Sequence, residues 1–153
     1  MTMIQYNPSP ICEKLWHDRG YLCMVVLTPM GHRCGYVGIH KGQPYYGNAY
    51  HKLDWIGCHG GLTYSESYHP SYKGDVETPI WWIGFDCAHC YDIPDVKAAE
   101  SAWGEGSEPA KRAERMASFS FGDYAQVRSF QFCEAECTKI VDQLVNGRTK
   151  DNA

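Results

Sequence analysis

Residues 80–87 read Ile80-Trp81-Trp82-Ile83-Gly84-Phe85-Asp86-Cys87. Successive side chains of a strand point to opposite faces, and here both parities are apolar. The run therefore predicts a central strand covered on both faces, or on one face with an aromatic rim on the other. A continuous apolar run this short, rich in β-formers, is the length of a strand rather than of a helix.

Two further strands lie upstream. Residues 20–28, GYLCMVVLT, and residues 34–39, CGYVGI, flank the turn Pro29-Met30-Gly31-His32, which predicts a hairpin with a loop longer than the tightest type. Residues 55–65, WIGCHGGLTYS, read as a third strand interrupted by Gly60-Gly61. Paired glycines inside a strand pattern signal a bulge or a close backbone approach. Residues 1–10 read as an irregular arm broken by Pro8 and Pro10, residues 41–54 as a loop with one helical turn near its end, and residues 66–78 as a polar connection.

Downstream, residues 95–103 read as a short helix. Residues 104–118, GEGSEPAKRAERMAS, combine Gly, Pro and dense charge and read as a flexible insertion. Residues 123–145 form the most regular helical pattern. Asp123 would cap it, Gln126 would answer as in a capping box, and Asn146-Gly147 would stop it. At 100° per residue Val127, Phe130, Cys133, Cys137, Ile140, Val141 and Leu144 share one stripe, with Arg128, Phe132, Glu136 and Lys139 largely opposite. Mostly strands followed by a helix imply an α+β class: an antiparallel or mixed sheet with a long C-terminal helix packed on one face. The 153 residues suit a single domain, 1–153.

Composition narrows the classes of partner. The net charge of -4 carries no basic excess, so general nucleic-acid binding is not expected. No apolar run approaches ~18 residues, so no membrane span is expected. The start, MTMIQYNPSPICEKLWHD, lacks the basic and apolar blocks of a secretion signal, and the expected location is the cytoplasm. Eight cysteines with irregular spacing, only Cys87 and Cys90 forming a C-x-x-C, are expected to be thiols.

Asp86, His89 and Asp92 follow one another at steps of three. A 3-10 or helical turn at the exit of the strand would put them on one side. His59 stands in a comparable place before Gly60-Gly61. These residues form the candidate ligand-binding set: His59, Gly60, Gly61, Asp86, His89 and Asp92. Two imidazoles and two carboxylates, His59, Asp86, His89 and Asp92, could also hold a divalent metal, or a His–Asp pair could serve as a general base. The glycines would let a phosphate approach backbone donors. The plainer alternatives are an Asp86 that caps a turn, histidines that are merely hydrogen-bonded, and a β-bulge at the glycines. Cys87 near a histidine would make a thiol–imidazole pair, against its usual role as a small buried hydrophobe. Arg128, Phe132 and Glu136, on the outer side of the expected helix, form a candidate protein-binding surface.

Cys34-Gly35-Tyr36-Val37-Gly38, His59-Gly60-Gly61-Leu62-Thr63-Tyr64-Ser65, Trp81 through His89 followed by Asp92, and the helix from Val127 to Leu144 together resemble an uncharacterised family of bacteriophages and prophages. The resemblance covers most of the chain outside residues 1–18 and 95–118. Cys90-Tyr91 stands where small residues such as Ala-Gly would be expected, which argues against the C-x-x-C as a family metal site. The resemblance implies a setting, a phage-type accessory protein in a bacterial host, and no mechanism. In that setting the residues suggest three roles: binding of a polar, nucleotide-like ligand near His59 and the 86–92 turn; a metal-assisted hydrolase using the same cluster; or inhibition of a host defence protein by direct binding.

Overall fold

The computed structural model describes residues 8–74, 77–119 and 124–148. Five antiparallel strands, β1 (Ile11–Asp18), β2 (Tyr21–Leu27), β3 (Arg33–His40), β4 (Tyr64–Glu66) and β5 (Ile80–Asp86), form a sheet in the order β1-β2-β3-β5-β4. Among the described residues three α-helices follow or flank it: α1 (Val96–Trp103), α2 (Glu108–Ala117) and α3 (Phe130–Asn146). A second, two-stranded pairing joins β6 (Asp92–Ile93) to β7 (Gln126–Val127) in parallel. The class is α+β as the strand-then-helix order predicts, with α3 packed on the sheet.

Alternation along β2 and β5 divides the core. Cys23, Val25, Ile83 and Phe85 join Cys133, Cys137, Ile140, Val141 and Leu144 of α3. The other parity, Leu22, Met24, Val26, Ile80 and Trp82, forms a second cluster with Tyr36, Tyr64 and Tyr72 around it. Both faces of the central strands are therefore covered. Each fully buried aliphatic side chain contributes about 1.5–3 kcal/mol, so the α3 stripe is a principal source of stability.

The glycines of β3 and β5 stand opposite aromatic residues. In register, Gly35 pairs with Phe85, Tyr36 with Gly84 and Gly38 with Trp82. A Cβ on Gly35 would overlap the Phe85 ring and press on Cys137 Sγ, and one on Gly84 would overlap the Tyr36 ring. Two of the sequence motifs are thus one packing device: small residues on one strand receive rings from its neighbour.

Three expectations need correction, and one strand goes unread in the sequence. Residues 55–63 are turns and irregular chain, and only Tyr64–Glu66 pair with β5; the glycines at 60 and 61 are not a β-bulge. Residues 11–18, which lack a clean alternation, form the edge strand β1, because an edge strand half in solvent carries only a weak period-2 pattern. The 104–118 stretch, read as a flexible insertion, is mostly the helix α2, capped by Ser107 with Pro109 in its first turn and docked through buried Ala110 and Ala113. Pro109, Ala110 and Ala113 recur at helical spacing, but the dense charge and flanking Gly and Pro outweigh that short amphipathic signal in the sequence.

The long helix starts at Phe130, not at residue 123. Ser129 is its cap, its Oγ accepting the Phe132 N–H at 3.1 Å. Gln126 and Val127 are drawn instead into the pairing with β6, and Val127 is exposed. Asp123, the expected cap, lies outside the described residues. The Gly147 stop stands, with its N–H on Gln143 O at 2.8 Å.

Candidate functional site

β5 ends at Asp86, and the chain turns at once. Asp86 Oδ1 accepts the Ala88 N–H at 3.1 Å, so this carboxylate caps the turn. The next turn closes with the Asp92 N–H on His89 O at 2.8 Å. These two short turns put Asp86, His89 and Asp92 on one side, as a non-extended exit from the strand requires. The loop at 58–61, closed by the Gly61 N–H on Cys58 O at 2.9 Å, brings His59 against them from the other direction.

Asp92 is the hub. Its side chain has no exposed surface. His59 Nε2 lies 2.9 Å from both of its oxygens. His89 donates its backbone N–H to Oδ2 at 3.0 Å and brings Nδ1 to the same oxygen at 2.9 Å. Arg128 Nε donates to Oδ1 at 2.8 Å. Burial pushes the Asp92 carboxyl up, but the hydrogen bonds from His59, Arg128 and His89 outweigh it and hold the group below the usual carboxylate range. An ionised Asp92 only accepts, so the protons sit on His59 Nε2 and His89 Nδ1.

The rings are packed as tightly as the polar atoms are bonded. His89 stacks on Tyr91 at 5.1 Å and 6°. His59 meets His89, Tyr91 and Phe132 edge-on, with centroids 5.2–5.4 Å apart. Arg128 lies over Phe132 and Tyr91 at 5.2 and 5.9 Å. Gly60 is required by this packing. It has φ +70°, and a Cβ there would overlap the His89 ring. Gly61 is also in the left-handed region, but a Cβ on it would meet nothing.

Arg128, Phe132 and Glu136, expected on an outward protein-binding surface, face the cluster instead. Arg128 holds Asp92, Phe132 packs on His59, and Glu136 Oε1 accepts the His59 backbone N–H at 2.8 Å. The reason is the loop 55–63, which is not a strand and folds over that side of α3. Buried Arg33 fixes Arg128 from behind, donating to its carbonyl at 3.1 Å while pairing with Glu13 and Asp95 at 2.7 Å each. Arg33 carried no signal in the sequence beyond its type, because its three partners lie far apart along the chain.

Asp86 stands at the rim. Its Oδ1 is 3.9 Å from His89 Nε2, with 36% of its side chain exposed against 26% for His89. Thr63 Oγ1 donates to Asp86 Oδ2 at 3.0 Å. His32, partly buried, feels both carboxylates: burial lowers its pKa, while Asp92 and Asp86 pull it up. His32 did not stand out in the sequence, and Tyr91 did so only as a bulky residue where a small one is expected.

Cys87 is not part of the rim. It is buried, with Sγ 3.6 Å from Cys133 Sγ, and that contact and burial push its thiol far above the usual range. The thiolate needed for nucleophilic attack is thus disfavoured. Cys90 is exposed while Cys87 faces the core, so the C-x-x-C does not converge.

His59, His89 and Asp92 offer ligand atoms all within 4.8 Å of one another. A metal among them would compete with the proton-mediated bonds already described: both imidazoles would have to present lone pairs, and Asp92 would have to share its charge with Arg128. Among the described residues no helix is long and apolar enough to cross a membrane. No protein-family model, curated protein or solved structure matches the chain.

Proposed function

We propose that this is a small accessory protein, of the phage type its motifs resemble, that binds a polar ligand at the rim formed by His89 Nε2, Asp86 and Thr63. One observation carries the reading. His89 commits Nδ1 to a fully buried carboxylate and leaves Nε2 as a preset acceptor beside Asp86 Oδ1, on a ring that is 26% exposed. An imidazole oriented by a buried carboxylate, with the other nitrogen free, is the arrangement that positions a hydrogen-bond acceptor or a proton acceptor. The ligand class follows from charge. Arg128 already faces Asp92 at 2.8 Å, and Lys139, a turn along α3 from the cluster's Glu136, faces that residue at 3.9 Å. A ligand that offers N–H or O–H donors to His89 and Asp86 therefore suits the rim better than the phosphate of a nucleotide.

The test is thermal protection by a panel of amines, amides, sugars and nucleosides against wild type, His89→Gln and Asp86→Asn. A ligand at about a hundred times its Kd stabilises by about 2.7 kcal/mol. At least one class should raise the melting temperature of wild type and leave both variants unmoved. Equal protection of the variants, or no protection by any class, refutes the proposal.

A metal-assisted hydrolase is the second reading, favoured by the convergence of His59, His89 and Asp92. Arg128 on Asp92 Oδ1 opposes a cation there. Zinc or manganese should then bind far more tightly to Arg128→Gln than to wild type, measured by calorimetry. Tight binding to wild type would favour the hydrolase over the metal-free rim.

A further inference from the structure

The face of the sheet built from Leu22, Met24, Val26, Ile80 and Trp82 has its own buried histidine. His69 is only 5% exposed. Its ring packs on Tyr36, Tyr64 and Trp82, with centroids at 4.1, 5.5 and 6.4 Å. Its Nδ1 accepts the Ser71 N–H at 3.0 Å. An imidazole nitrogen that accepts carries no proton, so the neutral ring bears its hydrogen on Nε2. Burial lowers the pKa of His69 to about 4, so the ring stays neutral at ordinary pH. None of the hydrogen bonds among the described residues uses Nε2, and no buried side-chain nitrogen or oxygen lacks a partner. Nε2 therefore reaches open space, and His69 lines a cleft.

That cleft has a volume of about 350 Å³, within the range of small-molecule sites, which join apolar walls to a few placed polar groups. Tyr72 and the exposed Tyr68 form the walls, over a floor of buried Trp82 and Ile80, with Trp82 and Tyr72 edge-to-face at 5.2 Å. Lys73 also lines the cleft, is exposed, and joins none of the ion pairs among the described residues. Among the described residues, those lining the cleft include no carboxylate. The two charged or strongly polar groups present, an N–H on a neutral imidazole and an ammonium, are both donors, and the walls are aromatic.

We infer that this cleft binds a small aromatic carboxylate, its ring against Tyr68 and Tyr72 and its acid oxygens on His69 Nε2–H and the Lys73 ammonium. Aromatic walls supply edge-to-face and stacking contacts; the two donors select an anion over a neutral ring of the same shape. The site lies apart from the His89 rim and does not depend on it.

Two variants separate the donor from the fold. His69→Asn keeps an oxygen at the place of Nδ1 for the Ser71 N–H and removes the Nε2 donor. Lys73→Ala removes an exposed charge. The probe is 1-naphthoate, with 1-naphthylmethanol as the neutral analogue, followed by the NMR shifts of the His69 ring nitrogens and the Trp82 indole N–H. Wild type should bind 1-naphthoate and move both sets of signals, with 1-naphthylmethanol about tenfold weaker. Lys73→Ala should weaken 1-naphthoate by about two- to fivefold, and His69→Asn by about tenfold, each with the fold intact by circular dichroism. Failure of 1-naphthoate to shift these signals at millimolar concentration overturns the proposal. So does equal binding of the acid and the alcohol together with an unaffected Lys73→Ala. If His69→Asn does not fold, the acid–alcohol comparison and Lys73→Ala decide the matter alone.

Discussion

Arg128 Nε stands 2.8 Å from Asp92 Oδ1, on a carboxylate with no exposed side-chain surface. The pair ties the residue just before α3 to the turn after β5. It also accounts for the late start of the helix, because Gln126 and Val127 are held extended beside β6 while Arg128 turns inward.

Asp92→Asn should therefore cost about 3–5 kcal/mol, since removing one partner from a buried ion pair leaves the rest uncompensated. Asp86→Asn should cost less than about 1 kcal/mol, because Asp86 is a third exposed and serves a turn N–H and one hydroxyl. Urea unfolding of the two variants checks the contrast; equal losses would mean that Asp92 is not the hub.

Gly60 and His89 should be coupled. Gly60→Ala adds a Cβ against the His89 ring at φ +70°, and should cost about 2–4 kcal/mol. In a His89→Ala background only the backbone strain remains, about 1 kcal/mol. A double-mutant cycle measures the difference, and an interaction energy near zero would contradict the packing.

Acid should weaken the fold from about neutrality downward. The pKa of His69 is lowered from 6.5 to about 4, so between these values only the unfolded chain takes up the proton, and stability falls with pH by up to about 3 kcal/mol. His32, also lowered by burial, acts in the same direction. Asp92 adds a further loss below 3.8, where the unfolded carboxyl protonates first. His69→Asn should flatten the slope between pH 6.5 and 4 in part, leaving the share of His32; an unchanged slope in that variant would show that His69 is not the titrating group.

Helix α2 should shield Lys111, Arg112 and Arg115 from trypsin until it opens. Ser107→Ala removes the side chain that accepts the Ala110 N–H at 3.3 Å. Loss of such a cap costs about 1 kcal/mol, which should raise cleavage at these three residues about fivefold. Cleavage of wild type there at the rate of an unstructured peptide would remove the case for a docked helix.

The sequence by itself determined the elements whose signal is local. β2, β3 and β5 follow from apolar runs of strand length, and the inner stripe of α3 from Cys133 to Leu144, with its Gly147 stop, follows from a 3.6-residue period. The steps of three from Asp86 to Asp92 placed the candidate site on one side of a turn. Tertiary structure decided everything that needed a distant partner. β1 is a strand because β2 pairs with it, α2 is docked through small alanines amid dense charge, and residues 55–63 leave the sheet to cover α3. Above all, the two carboxylates of the candidate site look alike in sequence. Asp92 becomes the buried hub because His59 and Arg128, 33 and 36 residues away, bring donors to it; Asp86 stays at the rim because its partners are a hydroxyl and its own turn. A carboxylate is buried only where donors converge, and that convergence is a property of the folded chain.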